Sequence, residues 1–551
     1  MAVKYTEEQL NTFDKSFVIE LLLAEQEQTE KLTREISVLT EKITSMDQKM
    51  QSLLEQIVLS NKYRFGRHTE KLDDVNQMCF TEVDGNIVFF NEAEANADLS
   101  DEDDEEEILS PKRGKKKVGK REEDLAGLPV ERVDHYLSTE ELTAEFGENG
   151  WKQLPDTISK RYKFVPLKIT IEEHHIGVYA SKKDEGRIIR APHPRKLLRE
   201  SLVSPSLAAG IINAKYVNAT PLARIESEMA RYGLPISRKN MANWMIRIGE
   251  EYIALLYDYL HELMYDYHVI QADETPVLVN RDGRPAGSKS YMWVYRTGHM
   301  YTERQIVLYE YQMTRNASHP REFLKDYSGV CVTDGYQVYH TIAKEREDLI
   351  IAGCWVHCRR RFDEAWETSG KNRSKDALSY MALKQIQAIY REEGKLKDET
   401  PENRLEQRQV VIKPLVDALF SYLKQNEHKV PRSGKLRDAV TYALNQEKYL
   451  KVFLADGEVP IDNNASERAI RGFCIGKKNW QVIDTINGAK TSAMIYSIAE
   501  TAKANNLKPY EYFKHILDVM PEHMEDHNRD FLKDLLPWSE NLPAEIRKPK
   551  A

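Results

Sequence analysis

At 551 residues the chain is too long for one hydrophobic core, and its 41% hydrophobic and 30% charged content is ordinary for a water-soluble, multidomain protein. The longest apolar run, Phe17 to Ala24, is broken by Glu20 and falls short of the roughly 20 residues that span a bilayer; "MAVKYTEEQL" has no signal-peptide core, and five cysteines suit a reducing cytoplasm better than a disulfide framework. The net charge of −9 excludes no partner, nucleic acid included, because eight acidic groups are concentrated in residues 98–107 and seven basic ones in residues 112–121.

Leu32, Ile36, Leu39, Ile43, Met46, Met50, Leu53 and Ile57 recur in steps of four and three, an apolar heptad seam. Ile at one position and Leu at the other predict a parallel two-stranded coiled coil; a single amphipathic helix packed on its own chain is the alternative. The charged blocks that follow repel themselves and read as a linker. Their basic part adds sequence-independent phosphate attraction or is a solvated tether. Short strands are predicted between Leu125 and Lys196, as in "YKFVPLKITIEEHHIGVYA". That stretch has no cysteine, and its histidines are too scattered to propose a metal site.

Helical patterning runs from Ser201 to Leu263. "TPLARIESEMARYG" ends on a glycine stop, "LPI" follows, and "SRKNMANWMIRIGEEY" opens with Ser237 as N-cap. Helix, short turn and second helix match a helix-turn-helix. Arg238, Lys239, Asn240 and Asn243 then stand where recognition helices meet bases; a purely structural helix pair is the plainer reading.

Five strand-like runs come next: "HVIQADETPVLV", "SYMWVYRT", "RQIVLYEYQ", "GVCVTDGY" and the start of "DLIIAGCWVHCRRRF". Three strands, a helix, a strand, a helix and a strand is the order of the ribonuclease H-like fold. In that fold an Asp on the first strand and one at the end of the fourth are neighbours, here Asp273 and Asp334. Convergent carboxylates imply a cation, and oxygen ligands select Mg²⁺ or Mn²⁺. A two-metal site usually needs a third carboxylate, for which Glu467 in "PIDNNASERAIR" is placed. Each residue has a plainer role. Asp334 precedes a glycine and suits a turn, and Asn464 to Glu467 has the spacing of a capping box. Strand alternation points Glu274 to the face opposite Asp273 and makes it the weaker candidate. Cys354, His357 and Cys358 are too few and too close for a complete zinc site.

"YRFGRHTEKL", "ADETP", "TDGY", "CWVHCRRRF", "IDNNASERAIR", and "GKKNW" with "YSIAETAKANNLKPYEY" occur in this order. With them the chain resembles the DDE transposases of the insertion sequence 66 family. The resemblance implies that Asp273, Asp334 and Glu467 are the catalytic, metal-holding triad, with Mg²⁺ as cofactor and Mn²⁺ as substitute. It implies a helical insertion over about 370–455. It places His357 beside the active site without a role and makes Arg359, Arg360 and Arg361 phosphate contacts. Arg468, Lys477 and Lys478 are further DNA-binding candidates, with a solvated face as the alternative for the two lysines. Members typically carry a cysteine-rich zinc module, which this sequence lacks, so no zinc is expected. The implied reaction is DNA transposition, in which water cuts a strand at the element end and the resulting 3′-hydroxyl attacks target DNA. The alternatives are a structure-specific nuclease of the same fold and a non-catalytic DNA-binding regulator. Implied partners are DNA, a second copy through the coil and small accessory proteins of the element, with no membrane; the implied location is the cytoplasm, at the nucleoid.

The expected fold class is therefore multidomain α/β plus α. A coiled-coil helix would cover 1–65, a charged linker 66–124, a small cysteine-free strand module 125–197 and a helix-turn-helix region 198–264. A ribonuclease H-like catalytic domain would follow over 265–372 and 456–505, interrupted by a helical insertion over 373–455, with a C-terminal tail over 506–551.

Overall fold

In the computed structural model the described residues are 169–180, 188–285, 287–369 and 374–549, the strands at 80–83 and 86–89, and residues 14–16, 19, 26–34, 37–38, 42, 50, 140 and 144, helical apart from 14. Apart from Leu32 and Met50, the heptad seam lies outside them, as do the basic and acidic runs. Among the described residues no helix is long and apolar enough to cross a membrane. The chain divides into two compact units: 260–277 with 289–471 (and 1–78), and 79–259 with 278–288 and 472–551.

The first unit is built on a mixed sheet. Its strands are β1 (Val269–Arg281), β2 (Lys289–Thr297), β3 (Val307–Gln312), β4 (Gly329–Thr333) and β5 (Leu349–Gly353), in the order β3-β2-β1-β4-β5. β2 and β3 run antiparallel, whereas β1, β4 and β5 run parallel. β4 and β5 read "GVCVT" and "LIIAG", the nearly continuous apolar runs typical of parallel strands, although Ile350 on the edge strand β5 is exposed. Parallel strands also need crossovers. Between β3 and β4 the connection contains α1 (Ser318–Phe323), and between β4 and β5 it contains α2 (Gln337–Glu345).

After β5 the chain enters α3 (Trp355–Glu367), whose Trp355, Cys358, Phe362 and Ala365 recur at helical spacing and are buried. Four helices follow: α4 (Leu378–Gly394), α5 (Pro401–Gln407), α6 (Lys413–Asn426) and α7 (Lys435–Leu450), and the α3 residues share one core with buried residues of α4, α6 and α7. Trp355 lies edge-on to Phe420 and Phe453, and its indole N–H donates to Leu450 O at 2.8 Å. Arg408, fully buried, pairs with Glu393 and donates to the carbonyls of Phe453, Asp456 and Val459 at 2.7–3.0 Å. Those bonds fix the return of the chain towards the sheet, where Trp355 N donates to Ile461 O. The next helix, α8 (Asn464–Trp480), has its first two turns in this unit.

In the second unit the helices Leu222–Arg231 and Arg238–Ile248 are joined by a turn through Gly233, whose φ is +84°. Ser237 caps the second helix, accepting from Asn240 N at 3.2 Å. Helix Ile486–Ala504 is buried almost all round by Ala489, Ala493, Ile495, Tyr496, Ile498 and Ala499. A Cβ on Gly249 would stand 2.7 Å from Thr491 Cγ2, so this contact admits no larger residue without movement.

Two segments differ from the sequence reading. Strands Phe80–Val83 and Asn86–Phe89 pair antiparallel inside the expected linker. They flank Asp84-Gly85, a two-residue hairpin signal that the charge runs beside it obscured. Residues 506–551, expected as a tail, contain helix Pro509–His523, which buries Tyr512, Phe513, Ile516, Leu517 and Met520. Tyr512 OH donates to Leu535 O at 2.6 Å, and Lys508 N donates to Ile546 O at 2.7 Å.

Candidate active site

The register of β1 on β4 pairs Gln271 with Val332. Two positions further on it sets Asp273 beside Asp334, the residue after β4. Both side chains are half-buried. Asp334 Oδ1 accepts from Tyr336 N at 2.9 Å, and its carbonyl accepts from Tyr442 OH at 2.8 Å. The turn needs Gly335: its φ is +88°, and a Cβ there would lie 2.8 Å from Tyr442 Oη.

Glu467 comes from the first unit's last helix. Asn463, fully buried, anchors the head of α8 to β1: its Nδ2 donates to Ala272 O at 2.8 Å and its Oδ1 accepts from Gln271 Nε2 at 3.2 Å. Asn463 N donates to Cys354 Sγ at 3.2 Å, which ties the same point to the head of α3. The helix begins at Asn464, so Glu467 is its fourth residue and not the third. This corrects the capping-box expectation. Asn464 N and Nδ2 both donate to the Asp462 carboxylate, and Glu467 Oε1 is buried with no hydrogen-bond partner.

Around Glu467 stand His357 Nδ1, 3.8 Å from Oε1, and Arg360 Nη2, 3.6 Å from Oε2. Cys354, His357 and Glu467 each place a potential ligand atom within 4.8 Å of the others. Burial first, then the charges of Glu274 and Asp334 and more weakly Glu467, push the Asp273 carboxyl well above the usual carboxylate range. Burial likewise holds the His357 imidazole below its usual range, against the pull of Asp334 and Glu467. A buried carboxyl raised by the acidic groups around it and a buried carboxylate oxygen without a donor fit a divalent cation, which would relieve both.

Glu274 is more involved than strand alternation suggested. Its side chain is 1% exposed and pairs with Arg315, whose Nε donates at 2.8 Å. The Arg315 guanidinium lies 3.7 Å from the centre of the Tyr336 ring, and Tyr336 OH returns a hydrogen bond to Arg315 O. This brace joins the strand of Asp273 to the turn of Asp334. Nothing in the sequence marks Arg315, which sits in an ordinary loop. Asn463 stood in plain view among the polar residues of "PIDNNASERAIR", and its role depends on a strand far away in sequence.

The basic candidates are spread out. Arg359 and Arg360 are half-buried, and Arg361 is exposed with its guanidinium 4.3 Å from the Tyr442 ring centre. Arg468 is exposed. In the second unit Arg238, Lys239, Asn240, Asn243 and Lys478 are exposed and Lys477 is half-buried.

Residues 200–491 match the family model described as "Transposase IS66 family". Residues 497–538 match the IS66 C-terminal element, and residues 52–133 match "Transposase C of IS166 homeodomain". Similar proteins include uncharacterized protein y4qI of Sinorhizobium fredii (strain NBRC 101917 / NGR234), 29% identical over 69% of this chain and 70% of its own length. Uncharacterized proteins y4jD and y4hP of the same organism are 24% and 23% identical, over 74% and 71% of this chain and 80% and 72% of theirs.

Proposed function

Because this chain belongs to the transposase IS66 family, we propose that it is a DNA transposase that cleaves element ends and joins their 3′-hydroxyls to target DNA. The observation that carries this reading is that Asp334 and, more weakly, Glu467 act electrostatically on the buried Asp273 carboxyl, while Glu467 Oε1 is buried without a hydrogen-bond partner. In this reading the strand order β3-β2-β1-β4-β5 is that of a ribonuclease H-like domain, and α4–α7 are an insertion in it.

Asp273, Asp334 and Glu467 would hold Mg²⁺, or Mn²⁺ in its place. When bound, a pair of such ions lowers the cost of charge on both the attacking and the leaving oxygen of a phosphodiester. The chain itself supplies position. Asn463 holds Glu467 to the strand of Asp273, and Gly335 and Tyr442 hold the turn of Asp334. Arg359, Arg360 and Arg361 line the neighbouring helix as phosphate contacts, with Arg468 beyond them. Arg238, Lys239, Asn240 and Asn243 would meet the element end through the helix-turn-helix, with Lys477 and Lys478 on the backbone. The N-terminal heptads would pair two copies, one for each end, with accessory proteins of the element as further partners at the nucleoid.

Glu467→Gln tests this. Gln keeps the size and removes the charge. The variant should melt like the parent and bind DNA equally well, yet neither cut nor join strands with Mg²⁺. Cleavage without joining in the parent would make the protein a nuclease. Parental cleavage by Glu467→Gln would take Glu467 out of the reaction.

A further inference from the structure

Three groups beside the acidic cluster have no assigned part: Cys354, His357 and Cys358. Cys354 and Cys358 are fully buried, and Cys354 Sγ already receives Asn463 N–H at 3.2 Å. His357 differs. Its ring is half-buried, and its Nδ1 is buried with no hydrogen-bond partner, facing Glu467 Oε1 at 3.8 Å. Two buried polar atoms, one nitrogen and one oxygen, thus face each other too far apart to bond. Ligands held at about 2.1 Å from a common ion stand roughly 3–4 Å apart, which is the separation seen.

The approach is not an accident of two flexible side chains. His357 lies in the first turn of α3 between buried Val356 and Cys358. The heads of α3 and α8 are joined by two direct bonds, Trp355 N to Ile461 O and Asn463 N to Cys354 Sγ. Arg360, one turn after His357, approaches the other oxygen, Oε2, and leaves Oε1 towards the imidazole.

We propose that His357 is a protein ligand, through Nδ1, to the divalent cation on the Glu467 side of the acidic cluster. The inference rests on the reading of Asp273, Asp334 and Glu467 as a cation site. An imidazole among carboxylates changes which ion the site prefers. Mg²⁺ takes oxygen ligands and keeps its waters, whereas Mn²⁺ and Co²⁺ accept nitrogen readily. The site should therefore bind Mn²⁺ more tightly than Mg²⁺, and the difference should shrink when the imidazole is removed.

The test uses the full chain and the metal alone. Mn²⁺ is titrated into parent, His357→Gln and Asp273→Asn proteins, and pulsed electron paramagnetic resonance reads nitrogen coupling to the bound ion. The parent should show a histidine nitrogen coupling that changes with ¹⁵N-histidine labelling and disappears in His357→Gln. That variant should lose at least about tenfold in Mn²⁺ affinity and less in Mg²⁺ affinity. Bound Mn²⁺ without nitrogen coupling in the labelled parent overturns the proposal, whatever the variant does. Loss of Mn²⁺ in Asp273→Asn alongside that result leaves the carboxylate site standing. A parent that binds no Mn²⁺ overturns both readings.

Discussion

Asn463 directs its whole side-chain amide at β1, whereas Asn464, next to it, bonds only within the local loop. Asn463→Ala removes the bond to Ala272 O and takes one acceptor from the buried Gln271 amide; the expected cost is about 1–3 kcal/mol in chemical denaturation. Asn464→Ala should cost clearly less, and an equal loss would contradict the division of roles. Glu310, on β3, makes a second prediction. Gln312 Nε2 donates to its Oε1 at 2.7 Å, but Oε2 is buried without a partner. Burial pushes this carboxyl up to about 7 from an ordinary 4.5. The native protein then keeps a proton that the unfolded chain releases, so stability falls as pH rises through that window. Thermal melts at about pH 5 and about pH 8 should show a larger fall for the parent than for Glu310→Gln; equal falls would mean that the carboxylate is solvated. Sequence singled out Asp273 and Asp334 because the strand order makes their strands neighbours. It offered a capping box as the plainer role of Glu467 because spacing cannot choose between two adjacent asparagines, and the helix starts one residue earlier than that box requires.

Arg408 and Glu393 make the buried clamp on which α4, α5 and the 453–459 segment converge. Glu393→Ala leaves a buried guanidinium uncompensated and should cost about 3–5 kcal/mol. Replacing both residues by Met should cost less than the two single changes added together. Strict additivity in such a double-mutant cycle would show that the pair does not act as a unit. Strands β4 and β5 were legible as apolar runs, because a local run of apolar residues reports burial directly, whereas the helices α4–α7 were expected from the family resemblance. The clamp was not legible. A buried arginine looks like any surface arginine until the carbonyls it serves are brought to it from some 50 residues away. The packed C-terminal segment escaped notice for a related reason, since its apolar face has meaning only against a partner surface.

For the whole molecule, the unbroken seam from Leu32 to Ile57 predicts a dimer. Sedimentation of the full chain should give two copies, and Ile36→Asp combined with Ile43→Asp should give one; a dimer in that variant would move the interface elsewhere. The acidic cluster itself is non-local. Asp273 and Asp334 lie on neighbouring parallel strands, while Glu467 arrives only after the six helices α2–α7 and is docked by Asn463 against β1. That docking sets an order in time. A chain growing from its N-terminus exposes Asp273 and Asp334 first, and at roughly 5–20 residues per second it reaches Glu467 on the order of ten seconds later. During that interval, and in any fragment ending before α8, two carboxylates are present without the third or the arm that seats it. If the triad acts as proposed, the nascent protein can neither cut nor join DNA until the helical insertion has been made and folded back.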